Sequence, residues 1–167
     1  MPEIIELRHA TVVTPTHCVE DGRVIITGDR IAHVGSTPDR RLSRATTIDA
    51  EGLVLLPGII DLHGDDIEHH HSPRAGATMP LRSAVMTADR LNLLNGITTK
   101  FHAIAFENPP DDERTLSTAN ALATEITAAD YTPADNRLHA RCELTDQSLA
   151  TVVAALATDK IDLLSVM

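Results

Sequence analysis

The chain has 167 residues, enough for one ordinary domain with a sizeable core, and 43% of them are hydrophobic, which excludes a disordered chain. Aromatic residues make up only 2%, so the core must be built from Ala, Val, Ile and Leu. A formal charge of −10 argues against nucleic acid as the main partner, yet leaves room for a local phosphate pocket lined by a few Arg.

In chain order, residues 4–7, 10–13, 19–26 and 31–34 read as short strands bounded by turn residues. GRVIITGDRIAHVG (22–35) predicts a hairpin around Gly28-Asp29. Arg40, Arg41 and Arg44 mark a polar connection, and 48–49 and 53–56 read as two further strands. The pattern changes at Pro57. Residues 59–63 read as a buried strand and 64–80 as a long polar loop. Residues 83–95 show helical spacing, with Gly96 as the C-terminal cap. ITTKFHAIAF (97–106) reads as a strand, 113–129 as a helix, and 138–144 as a strand. Residues 146–157 predict another helix, capped by Thr145 or Asp146, and 161–166 a last strand.

The expectation is therefore an α/β protein in two parts. Residues 1–56 form a small β-sandwich part. Residues 57–167 alternate strands and helices as parallel βαβ units do, and supply the first half of a (β/α)8 barrel, since a whole barrel takes about 250 residues. The last strand has no helix after it, which favours a truncated barrel over a complete four-stranded domain.

No apolar run approaches the roughly 18 residues of a membrane span, so no membrane is expected as a partner. Acidic residues stand in MPEIIELRHA where a secretory signal carries bases. Cys18 and Cys142 lie far apart with no CxxC, which predicts two reduced thiols and a cytoplasmic location. Lys occurs only at 100 and 160, and the acidic surface suits either a salt-rich cytosol or an ordinary high-GC genome. A fall in stability when salt is removed favours the first.

Chemistry concentrates in PGIIDLHGDD (57–66). Side chains alternate along a strand, so Asp61, His63 and Asp65 share a face. A neutral imidazole and a carboxylate two residues apart can hold a divalent cation such as zinc, manganese or iron, with Asp61 orienting a ligand from behind. An isolated H-x-D would be a polar loop entry; the preceding β part, the Pro-Gly and the buried strand are what favour a site. No GxxxxGK[ST], GxGxxG or GxSxG motif is present, which lowers the kinase, dehydrogenase and α/β-hydrolase readings.

The same stretch resembles the amidohydrolase superfamily, whose first barrel strand ends in PGxxDxHxH after a small β-sandwich. Asp65 stands where the last His is usual. GDDIEHHHSPRAG and GITTKFHA narrow the resemblance to the alpha-D-ribose 1-methylphosphonate 5-triphosphate diphosphatases of the carbon–phosphorus lyase pathway. The matching residues are Asp61, His63, Asp65, Glu68, His70, Pro73, Arg74 and Gly76, then Gly96-Ile97-Thr98-Thr99 and Phe101-His102-Ala103. Ala75 replaces the usual second Pro, and Lys100 replaces an apolar residue.

The resemblance implies a hydrolase holding one or two divalent metal ions, with His63 and Asp65 as ligands and a phosphorylated small molecule as substrate. Glu143 is the further expected ligand, at the end of the third barrel strand; a solvated strand-end carboxylate is the alternative. Arg74 is expected to grip phosphate, against the plainer reading of a surface salt bridge. His70 faces the substrate, with His69 and His71 as loop residues. His102 is expected to point to the site and bind substrate, with a core histidine as the alternative, since the register of TTKFHAIAF is ambiguous. His139 is expected to be structural. The catalytic base would lie beyond Met167, so this chain alone is expected to be a poor catalyst, and the full-length protein a homo-oligomer. Two other readings stay open: an amidohydrolase acting on C–N bonds, and an inactive metal-binding fragment.

Overall fold

A computed structural model of the chain describes residues 2–36, 42–107, 115–142 and 160–167. The expected helix at 146–157, its cap, Glu143, Arg40 and Arg41 lie outside the described residues. The chain divides into two compact units, Met1–Pro57 and Gly58–Met167.

In the first unit, β1 (Ile4–Val13) pairs antiparallel with β2 (Cys18–Thr27), and β2 with β3 (Arg30–Ser36). β4 (Thr46–Asp49) and β5 (Val54–Leu55) run parallel to β1. The described residues make one mixed sheet rather than two packed layers. The hairpin turns at Gly28-Asp29 as expected, with Gly28 at φ 61°. Residues 4–7 and 10–13 are one strand, not two. The polar pair between them is a bulge, with His9 at φ 63° and the register shifting between Leu7 and Ala10, so the ladder continues past it. Val12, Val24, Ala10 and Ala50 form a small apolar core. Glu6 is also fully buried, 2.7 Å from Arg23 Nη2 and 3.5 Å from Arg8 Nη1. It also accepts from the Leu42 amide and the Thr47 hydroxyl. Burial works to raise the Glu6 pKa, but the Leu42 amide and the two guanidinium groups outweigh it and hold the carboxyl below its ordinary value.

The second unit runs β6 (Ile59–Gly64), α1 (Asp66–His71), α2 (Leu81–Leu94), β7 (Ile97–Phe106), α3 (Leu116–Thr127), β8 (Asp135–Cys142) and β9 (Leu163–Val166). Its four strands are parallel and lie in chain order β6-β7-β8-β9, the arrangement of a partial (β/α)8 barrel. α2 ends as expected: Asn95 caps it and Gly96 follows at φ 79°, where a side chain would be strained. Thr115 caps α3 by accepting from the Thr118 amide at 3.1 Å. The loop expected at 64–80 contains the six-residue helix α1, anchored by the fully buried Ile67. β8 begins at Asp135, three residues before its expected start.

Alternation sorts the sheet into two faces. Ile104, Phe106, Leu138, Ala140 and Cys142 pack against Val85 and Ala88 of α2 and Leu122 and Ile126 of α3. The intervening residues, among them Phe101, Ala103, Arg137 and His139, take the opposite face. No helix among the described residues is long and apolar enough to cross a membrane.

Candidate active site

Parallel barrels gather their chemistry where strands end at the carboxyl side, because the loops there can vary while the strands hold them in place. β6 brings His63 to that end, and Asp65 follows immediately as the residue before α1. Both are exposed. Among the described residues, no hydrogen bond or ion pair engages the His63 ring or the Asp65 carboxylate. Two neighbours hold the backbone around them. The Asp61 carboxylate accepts the His63 amide at 3.0 Å, and Lys100 Nζ donates to the other Asp61 oxygen at 2.8 Å. The hydrogen bond from Lys100 outweighs burial and keeps Asp61 below the ordinary carboxylate range. Asp61 therefore orients backbone rather than an imidazole.

The structure brings His139 to His63: the two rings meet edge to face, with centroids 4.9 Å apart. His139 Nδ1 lies 3.0 Å from the Leu62 carbonyl, which can only accept, so Nδ1 carries the proton. Burial pushes the His139 pKa down, which favours the neutral ring. Nε2 is then the acceptor for the Ser165 hydroxyl at 2.8 Å. The sequence places His139 on β8 but does not show which strand faces it, so its approach to His63 is visible only in the structure.

His102 lies apart from this group. It pairs in register with Leu138 of the helix-covered face, is fully buried, and bonds to Asn136 at 2.8 Å. Asn136 in turn donates to Asp89 of α2. Burial pushes the His102 pKa down, as suits a neutral ring between strand and helix. His70 is half-buried, 3.7 Å from Asp66 one turn back. His71 Nδ1 donates to the Met79 carbonyl at 2.7 Å and ties α1 to the loop. Arg74 is exposed in that loop, beside the Arg74–Ala77 bridge, and among the described residues no acid pairs with its guanidinium. Lys100, singled out only as a departure from the motif, is 5% exposed and stands between Asp61 and Asp66. Its signal was a single ammonium in an otherwise β-branched and apolar strand.

Among the described residues no three His, Cys, Asp or Glu side chains converge as a metal-holding group. The donor set at hand is one imidazole and one carboxylate, neither occupied by another protein group. That chemistry fits part of the shell of a divalent cation, which takes N and O donors of this kind.

The described residues thus make a mixed β unit and a parallel strand–helix unit, with His63 at the end of the first parallel strand and Asp65 just after it. No family model matches the chain. The chain is similar to the alpha-D-ribose 1-methylphosphonate 5-triphosphate diphosphatase of Escherichia coli K12, 35% identical over 100 residues, covering 58% of this chain and 26% of that protein. It is also 35% identical over 80 residues to an imidazolonepropionase of Chloroflexus aggregans, covering 43% of this chain and 19% of the other. Among solved structures, a dihydropyrimidinase from Brevibacillus agri superposes on 96% of this chain and 32% of its own, with a TM-score of 0.62 at 21% identity. This last likeness is one of fold. The chain spans about a quarter or less of the length of the curated relatives it matches.

Proposed function

We propose that this chain is part of a metal-dependent hydrolase that adds one water across a phosphoanhydride bond of alpha-D-ribose 1-methylphosphonate 5-triphosphate. The reaction leaves the 5-phosphate and releases pyrophosphate. The 35% identity to the E. coli diphosphatase carries this reading. The unengaged His63 and Asp65 at the end of β6 support it.

His63 and Asp65 would hold the cation, with Glu143 as a further ligand. The cation, zinc, manganese or iron, supplies Lewis acidity to a phosphoryl oxygen and acidity to a bound water. Arg74 binds the triphosphate: its guanidinium can take two phosphate oxygens in parallel, and no acid among the described residues competes for it. His70 hydrogen-bonds the same group from α1. His139, neutral and fixed by Leu62 and Ser165, packs the His63 ring edge-on and limits its rotation. The protein acts in the cytoplasm, without nucleic acid or membrane partners, and the whole polypeptide self-associates.

The imidazolonepropionase similarity favours a second reading, hydrolysis of a C–N bond. A hybrid separates the two, with this chain in place of the matching segment of the E. coli diphosphatase. In the presence of zinc, manganese or iron(II) it is expected to release pyrophosphate from the triphosphate, and His63→Ala to abolish that release. A folded hybrid that leaves the triphosphate intact but opens imidazolonepropionate would replace the first reading with the second.

A further inference from the structure

We propose that Lys100 is a positioning residue, a brace that fixes the corner from which His63 and Asp65 project. The proposal rests on reading those two residues as cation ligands.

One ammonium reaches both sides of the corner. Lys100 Nζ is 2.8 Å from Asp61 Oδ2, before the corner, and 3.2 Å from Asp66 Oδ1, at the first residue of α1. Only residues 62–65 lie between these anchors, and they include both ligands. The same Asp61 carboxylate accepts the His63 amide with its other oxygen, so the brace reaches a ligand's own backbone. The end of the Lys100 side chain passes against Gly64. A Cβ added at Gly64 would stand 1.8 Å from Lys100 Cε and 2.1 Å from Nζ, so a side chain there would displace the ammonium end from this position. The Lys100 side chain is 7% exposed, whereas those of Asp61 and Asp66 are 30% and 37% exposed. The ammonium is thus held between two carboxylates, and a rigid support for a ligand is what cation affinity depends on. Burial opposes the Lys100 charge, but the contacts to Asp61 and Asp66 outweigh it and keep the group protonated.

A brace and a mere nearby charge make opposite predictions. Removing a positive charge beside a cation site strengthens cation binding by simple electrostatics. Removing a brace weakens it. The test is zinc titration of the whole chain by calorimetry, with amide hydrogen exchange across residues 61–66. Lys100→Met keeps most of the stem and loses the charge. It is expected to bind zinc about 10- to 100-fold more weakly, the usual loss when a residue supporting a ligand is removed. Exchange is expected to quicken at the His63 amide. Gly64→Ala, which changes no charge, is expected to move both readouts the same way and keeps the proposal testable if Lys100→Met does not fold. Thr115→Ala, destabilised elsewhere in the unit, is expected to leave both unchanged. Equal or tighter zinc binding in Lys100→Met, or unchanged exchange at 61–66, overturns the brace. If His63→Ala in the parent chain leaves zinc binding intact, the ligand reading falls instead, and the exchange data alone decide the brace.

Discussion

The two units bury different things. In the first, the core cluster is Ala10, Val12, Val24 and Ala50, and Glu6, Arg8 and Arg23 are fully or nearly buried as well. In the second, a continuous apolar wall runs from Ile67 through Ile104 and Phe106 to Leu138 and Cys142, packed on two helices. A narrow sheet without helices has little hydrocarbon to hide, so backbone ladders and one charge cluster carry it. A parallel sheet covered by helices can rely on area removed from water. The buried charges of the first unit are therefore the more fragile kind of support, because each depends on its partner staying in place.

Perturbations that break this contrast can be ranked. Phe106→Ala removes the largest fully buried side chain of the second unit and should cost about 3–5 kcal/mol. Tyr131 is the chain's only Tyr and there is no Trp, so near-ultraviolet absorbance during denaturant unfolding reports that unit. Glu6→Ala leaves Arg8 and Arg23 in a buried site without their shared carboxylate and should cost roughly 3 kcal/mol, as removal of one partner of a buried pair does. It should lower the far-ultraviolet transition of the strands while the Tyr131 midpoint holds. A shift of both midpoints together would show that the two units do not unfold apart. Thr115→Ala should cost about 1 kcal/mol through the lost cap and move only the Tyr131 transition.

The smallest expected effect is one of pH. Burial holds the His102 pKa below its ordinary value of 6.5, so between the folded and unfolded pKa values the unfolded chain binds more protons. The stability this group contributes is complete above about pH 6.5 and is lost as pH falls toward its folded pKa. Melting followed at Tyr131 should weaken from pH 7.5 to pH 5, and His102→Gln should flatten that slope. The Asp61 pKa lies below 3.8, outside this window. An unchanged slope in the variant would show that His102 is not the titrating group.

Much of the second unit was legible from local chemistry. Gly96 at a positive φ after α2 and, in the first unit, Gly28 in the hairpin are decisions a few residues make among themselves, whereas the expected helix start at 113 missed Thr115 as the cap of α3. The place of His63 was legible for the same reason, because it needs only the end of one strand; Asp65 falls outside β6, before α1 at φ −107° and ψ 11°, where strand alternation no longer applies. α1 was missed because six residues are too short for a periodic pattern, and its anchor is a single Ile67. The bulge at His9 looks like a break in the sequence because polar residues inside a strand resemble a turn until a partner ladder spans them.

The sequence by itself determined the order of elements and the change of style at Pro57, because hydrophobic spacing and turn residues along one chain set which local structure forms. The tertiary structure alone decided which strand faces which. It put the His139 ring beside His63 and tied it to Leu62, 77 positions away, and it turned His102 toward Asn136 and the helices. It also laid Lys100 across Gly64 between two carboxylates. The physical reason is register: in a parallel sheet, partners are set by how whole strands slide against one another, and a β-branched run such as TTKFHAIAF fits equally well before its neighbours are known.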